Sequence, residues 1–76
     1  MMIFITNDDV MGKNIRYLRC KKGIECDVLA KQFGITLQEL SWIEDGYLQE
    51  MDGQILLNIC QFFHISVDVL VEKKLY

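Results

Sequence analysis

Gln38 and Ser41, three residues apart in this 76-residue chain, are polar side chains whose chemistry suits recognition of an outside partner. The Gln38 carboxamide presents a donor beside an acceptor, the arrangement that pairs with the edge of an adenine, and the Ser41 hydroxyl donates or accepts at any base. Leu37 suits a thymine methyl, and Leu37 and Trp42 offer apolar or backbone contact. Lys13, Lys21 and Lys22, with Arg16, supply positive charge for phosphates, and the Thr36 hydroxyl is a further phosphate donor. Other chemistries lack partners. Cys60 and His64 stand one helical turn apart, but a metal takes three or four ligands and no second pair is spaced to complete the set. The single histidine has no serine or cysteine arrangement that marks an activated nucleophile, and there is no glycine-rich phosphate loop. Neither an enzyme nor a cofactor is expected.

The elements that must position these residues follow from the spacing of apolar side chains. Asn7 is placed to cap a first helix with Asp8 and Asp9 in its first turn, and Met11, Ile15 and Leu18 mark its buried face to about Cys20. Gly23 breaks it. A second helix opens at Glu25 to Asp27, turns Val28, Leu29 and Phe33 inward, and stops at Gly34 in the left-handed conformation. Thr36 caps a third helix, with Glu39 completing a capping box, and this helix ends near Gly46 with Leu40 and Ile43 inward. Residues 47–52 read as a loop. A fourth helix covers Gly53 to Phe63 on a stripe of Leu56, Ile59, Cys60 and Phe63. Ser66 caps a last helix, SVDVLVEKK, in which Val69 and Leu70 close the core and Lys73 and Lys74 sit at the negative end.

This length makes one small domain, near the lower limit for a core without metals, disulfides or a second subunit. Half the residues are apolar (51%), a quarter are charged (25%) and none is proline, which suits a compact helical fold. Three irregularly spaced cysteines argue against a disulfide framework and for a reducing cytoplasm. No run approaches the roughly 20 apolar residues that span a bilayer. Met1 to Thr6 lacks the basic flank and the length of a signal peptide and reads as a short strand. It is too apolar for water and too short for a sheet of its own, so it is expected to pair with the same strand of a second subunit or to lie over the helices.

From Gly12 to Leu70 the chain resembles the phage repressor and Cro-type (Xre-like) helix-turn-helix family. The matching pieces are GKNIRYLR, GI followed by VLAKQFGIT, IEDG, and ISVDVL. The resemblance implies an all-α, five-helix repressor-like fold with helices two and three as the helix-turn-helix. It also implies an internal ion pair of Arg19 with Glu44 and a third helix that enters the major groove of double-stranded DNA. Cys26 takes the place of a family glutamine that touches phosphate. Residues 1–7 would then be an N-terminal extension or strand, 8–72 the helix-turn-helix domain and 73–76 a tail. The implied function is transcriptional regulation by a homodimer.

Charge supplies a rival reading. Residues 1–24 carry five basic side chains against two acids, a balance of +3, whereas residues 25–52 carry one lysine against seven acids, a balance of −6. DNA affinity rests largely on lysine and arginine neutralising phosphates. An acidic third-helix region that carries Trp42 and Tyr47 also fits a protein-interaction module, as in a degenerate repressor or an antitoxin-like subunit. The bland alternative for Trp42 is that it covers the edge of the core.

Overall fold

A computed structural model describes residues 1–76. Its elements, in chain order, are β1 (Met2–Phe4), α1 (Asp8–Lys22), α2 (Cys26–Phe33), α3 (Leu37–Glu44), β2 (Glu50–Asp52), α4 (Gly53–Phe63) and α5 (Val67–Glu72). No helix is long and apolar enough to cross a membrane.

The helix boundaries follow from local chemistry. At α3 the Glu39 amide donates to the Thr36 hydroxyl (3.1 Å) and the Thr36 amide donates to the Glu39 carboxylate (3.0 Å), which completes the expected capping box. Ser66 caps α5 through the Val69 amide (3.2 Å), and Asp52 caps α4 through the Gln54 amide (2.8 Å). Gly34 takes the left-handed conformation between α2 and α3 (φ 72°), so the chain reverses without a Cβ clash. The corresponding position after α4 is His64 (φ 56°), the one non-glycine residue in that region.

One apolar core joins all five helices. It is built from stripes that include Met11 and Ile15 of α1, Leu29, Ala30 and Phe33 of α2, Leu40 and Ile43 of α3, Leu56 and Ile59 of α4, and Leu70 of α5. Phe33 meets Phe62 and Phe63 edge to face, with ring centroids 5.8 and 6.1 Å apart, and this ties α2 to α4. α1 and α3 cross at Gly12, where a Cβ would collide with the backbone carbonyls of Ile43 and Glu44.

Several expectations need correction. The N-terminal strand has a partner inside its own chain that was not expected: β1 runs antiparallel to β2, with Ile3 opposite Met51, and the other edge of β1 stays open. The second half of the expected loop 47–52 is therefore strand, and its Met51 is buried with Ile5 beneath the sheet. Asn7 precedes α1 but makes no side-chain cap bond, and Asp8 instead accepts from the Asp9 amide (3.0 Å). Val28 is half exposed, because the buried stripe of α2 runs through Leu29, Ala30 and Phe33 and leaves Val28 a helical step outside it. Val69 is half-buried, and Leu70 alone of α5 is fully enclosed. α5 ends at Glu72, so Lys73 and Lys74 lie beyond it, with Lys73 extended.

The segment after α5 is held by Asn14, fully buried among the apolar residues of α1. Its amide nitrogen donates to the carbonyls of Leu70 (2.7 Å) and Lys73 (2.6 Å), and its oxygen accepts from the Leu75 amide (2.9 Å). Every hydrogen-bonding direction of the carboxamide that matters in a dry site is thus used, and α1 is pinned to the end of the chain.

Candidate nucleic-acid interface

α3 is fixed from behind and open in front. From behind, the fork of Arg19 grips Glu44 through two nearly parallel bonds, Nε to Oε2 at 2.8 Å and Nη2 to Oε1 at 3.1 Å. This is the ion pair that the resemblance implied. Its carboxylate is almost wholly enclosed, with 4% of the side chain exposed. Arg19 also donates to the Ile24 carbonyl (3.3 Å), which brings the α1–α2 turn into the same assembly.

Arg16 extends the network, donating to Glu44 (3.3 Å) and to Asp45 at the end of α3 (2.6 Å). Both guanidiniums are held above the ordinary arginine range, Arg19 by its hydrogen bond to Glu44 and Arg16 by its hydrogen bond to Asp45, in each case against some desolvation. Two arginines and two acids therefore form one neutral, hydrogen-bonded unit that locks the last turn of α3 to α1. Arg16, expected among the phosphate contacts, is paired here with Glu44 and Asp45 and would have to exchange Asp45 to reach a phosphate.

In front, Leu37 and Trp42 leave 50% and 45% of their surfaces open, Gln38 is exposed and Ser41 is half-buried. The polar side chains of α3 that bond within the chain are Glu39 and Glu44, not Gln38 or Ser41. The Thr36 oxygen accepts within the capping box, which leaves its O–H free to donate outward. Tyr47, 76% exposed, follows α3 with its amide bonded to the Trp42 carbonyl (2.9 Å).

The three lysines do not act as one group. Lys21 and Lys22 end α1 on the turn leading to α2, where Lys21 lies 5.8 Å from the Tyr17 ring centroid. Lys13 lies eight residues back along α1, roughly 12 Å away by helical rise. It pairs with Asp9 (3.4 Å) and stands 5.6 Å from the Tyr76 ring centroid.

A groove of about 500 Å³ connects the turn after Lys22 to the first residue of α3. Its lining includes Ile24, Glu25, Cys26, Asp27 and Leu37, with Arg19 among them. The starts of α2 and α3 and the end of α1 thus share one side of the molecule. Cys26, half-buried at the first position of α2, faces this groove with a weak hydrogen-bonding group.

Internal pairing changes the electrostatic reading. Of the seven acids between residues 25 and 52, Glu39 and Asp52 are caps and Glu44 and Asp45 are paired with arginine. Of the remaining three, Glu50 lies in β2 and Glu25 and Asp27 lie at the groove, where the Asp27 carboxylate accepts its neighbour's amide, that of Val28 (2.9 Å). Elsewhere, Cys60 is buried and its thiol is pushed up by desolvation, and no three His, Cys, Asp or Glu side chains come together as a metal set.

Sequence reasoning missed Asn14, Arg16 as a partner of Glu44, and Asp45 as a paired acid. One signal was readable: Asn14 interrupts the apolar spacing of Met11, Ile15 and Leu18, and a polar residue on a buried stripe must find partners.

Five helices, a glycine turn between the second and third, and an arginine–glutamate clamp behind the third define the repressor-type helix-turn-helix fold. No protein-family model matches the chain, and no curated protein matches it by sequence. Solved structures do. The P22 c2 repressor in complex with a synthetic operator is 28% identical, with a TM-score of 0.76 over 83% of this chain and 94% of that one. The N-terminal DNA-binding domain of SinR from Bacillus subtilis is 26% identical, with a TM-score of 0.76 over 90% and 99%. The clp gene regulator ClgR from Corynebacterium glutamicum is 24% identical with a TM-score of 0.72, and this chain spans 66% of its length.

Proposed function

We propose that this chain is a DNA-binding transcriptional regulator of the cytoplasm, acting as a dimer that sets α3 in the major groove. The observation that carries this reading is the open outer face of a rigidly clamped α3. A helix of eight residues, capped at Thr36 and held at Glu44, offers Gln38 and Ser41 free of internal partners. The likeness to repressor structures, one of them bound to operator, supports the same orientation. Gln38 and Ser41 read bases, Leu37 and Trp42 make apolar or backbone contacts, and the Thr36 hydroxyl reaches a phosphate. Lys21 and Lys22 hold phosphates beside the groove, while Lys13 does so farther along α1 after exchanging Asp9. Within this reading residues 8–72 carry the binding domain, and the ends expected to be an extension and a tail pack onto it, residues 1–7 through the pairing of β1 with β2 and residues 73–76 through Asn14. The test is selection from a randomised duplex library at low and near-physiological salt. A palindromic motif that survives the higher salt, and whose preference at one base pair is lost in Gln38→Ala, supports the reading. A folded protein that enriches no motif overturns it.

A second reading has its own observation, the exposure of Trp42 and Tyr47 at the end of α3. A protein partner docked on those two aromatics would make the chain an interaction module. Capture of a defined partner by the wild type, lost in Trp42→Ala with DNA affinity unmoved, decides for it.

A further inference from the structure

β1 uses only one of its two edges. The Ile5 amide donates to the Gln49 carbonyl (2.7 Å) and the Gly53 amide to the Met1 carbonyl (2.7 Å). In a register that sets Met2 opposite Asp52 and Phe4 opposite Glu50, the hydrogen-bonded pairs are therefore those of residues 1, 3 and 5. The N–H and C=O groups of Met2 and Phe4 point the other way, along an edge that no third strand covers. Edges of this kind are normally blunted by charge, proline or a bulge. Met1 to Thr6 holds no charged residue, no proline and no glycine. Met2 and Phe4 share the outer face of the sheet and are 60% and 72% exposed.

We propose that β1 pairs, antiparallel, with β1 of a second copy of this chain about a two-fold axis through Ile3, forming one four-stranded sheet in the order β2–β1–β1–β2. The register follows from which groups are free. With Ile3 on the axis, Met2 of each copy faces Phe4 of the other, and both pairs exchange two hydrogen bonds, so every free group of the strand is used. Centring on Met2 leaves Phe4 unpaired, and centring on Phe4 sets Met2 against Thr6, which has already entered the turn to α1.

Side chains agree with this register. Phe4 stands across from Met2 of the other copy, an aromatic–thioether contact. On the opposite face, a cleft of about 410 Å³ lined by Met1, Ile3, Leu57 and Val67 borders the axis. The amount of surface also fits. Met1, Met2, Phe4 and Leu57 are 93%, 60%, 72% and 48% exposed. At roughly 200 Å² for a fully open large side chain, they leave on the order of 500 Å² of open apolar surface per copy, against about 800 Å² per partner in a standard interface. The product is a reversible, concentration-dependent dimer. It deepens the dimer named under the proposed function and does not depend on what α3 binds.

The experiment is analytical ultracentrifugation of the full chain from micromolar to millimolar concentration, with two variants. Phe4→Pro deletes an outward N–H that β2 does not use, a position where an edge strand accepts proline. The wild type is expected to dimerise. Phe4→Pro, with unchanged far-ultraviolet circular dichroism, is expected to weaken the dimer at least tenfold. Ile3→Cys, in a background of Cys20→Ser, Cys26→Ser and Cys60→Ala, is expected to oxidise to a covalent dimer, because the axis places the two Cα atoms about 4.5 Å apart. A wild type that stays monomeric throughout, a folded Phe4→Pro that dimerises as the wild type does, or a dimer without the Ile3→Cys cross-link overturns the proposal. Library selection run beside it separates this outcome from that of the DNA reading: a dimer that enriches no motif keeps the interface and loses the function, and a monomer that enriches a half-site does the reverse.

Discussion

Replacing Asn14 with alanine is the sharpest test of what holds this small core together. The substitution removes three hydrogen bonds and leaves the carbonyls of Leu70 and Lys73 and the amide of Leu75 without their partner. The Leu70 carbonyl lies in the core, where a stranded acceptor costs about 1–3 kcal/mol. The other two groups are nearer the surface, where water can enter, so about 0.5–1 kcal/mol each is expected from them. The sum is roughly 2–5 kcal/mol, a large part of the total stability of a domain this size, which at about 0.05–0.15 kcal/mol per residue is itself modest. In thermal unfolding followed by circular dichroism, the expected fall in Tm is roughly 8–40 °C. Asn14→Asp should be no milder, since it sets a carboxylate against two carbonyl oxygens. Deleting residues 74–76 removes the Leu75 amide, so its cost combined with Asn14→Ala should be smaller than the sum of the two alone. A loss below about 1 kcal/mol for Asn14→Ala, on a scale where buried hydrogen bonds average about that much each, would refute the claim that this carboxamide pins the chain end.

Gly12→Ala pushes a methyl into the carbonyls of Ile43 and Glu44, so α1 and α3 must separate; a loss of about 1–3 kcal/mol in urea unfolding is expected, the range of overpacked cores. Lys22→Ala should reduce the slope of log affinity against log salt by about 0.9 per subunit in DNA titrations, one phosphate contact's worth, without altering base preference. Glu25→Gln or Asp27→Asn should tighten DNA binding, since a carboxylate roughly 7 Å from a phosphate costs about 0.6 kcal/mol in water, or about threefold; weaker binding would place the groove away from DNA. His64→Gly should raise stability by about 0.5–1 kcal/mol, because a side chain at positive φ is strained and glycine is not, an effect visible as a rise in Tm.

The parts of the fold that were legible in the sequence are those set by neighbours a few residues apart. Thr36 and Glu39 announce the start of α3 because both halves of the box lie within one turn, and Gly34 marks the reversal because its requirement is its own backbone angle. Arg19 and Glu44 were recovered through resemblance, since nothing local links residues 25 apart in sequence. β2 was hidden for the same reason. Glu50, Met51 and Asp52 are too few to display an alternation, and their partner strand, Met2 to Phe4, lies at the start of the chain. The Asn14 bonds span 56 to 61 residues, and two of its three partners, the Lys73 carbonyl and the Leu75 amide, belong to a segment that reads as a tail. Val28 was misplaced by a helical step, because three apolar residues in four leave the direction of a short stripe open until another helix covers one side.

Charge shows most clearly why a count along the chain is a poor guide to an interface. The balance of −6 over residues 25–52 treats each carboxylate as if it faced the partner. Glu44 is enclosed between two guanidiniums and Asp45 is bonded to one of them, so at a phosphate a Debye length away, about 10 Å, the four charges nearly cancel. The same cancellation removes Arg16 and Arg19 from the supply of free cations, which makes the +3 of the first segment as misleading as the −6 of the second. What remains is Glu25 and Asp27 in the groove and Lys21 and Lys22 in the last turn of α1 beside it, close to neutral. A face of that kind has little non-specific pull on a polyanion. On the proposed reading, affinity then comes from the geometry of α3 and from two copies acting together, and on that reading the clamp behind the helix and the free edge of β1 matter more than net charge.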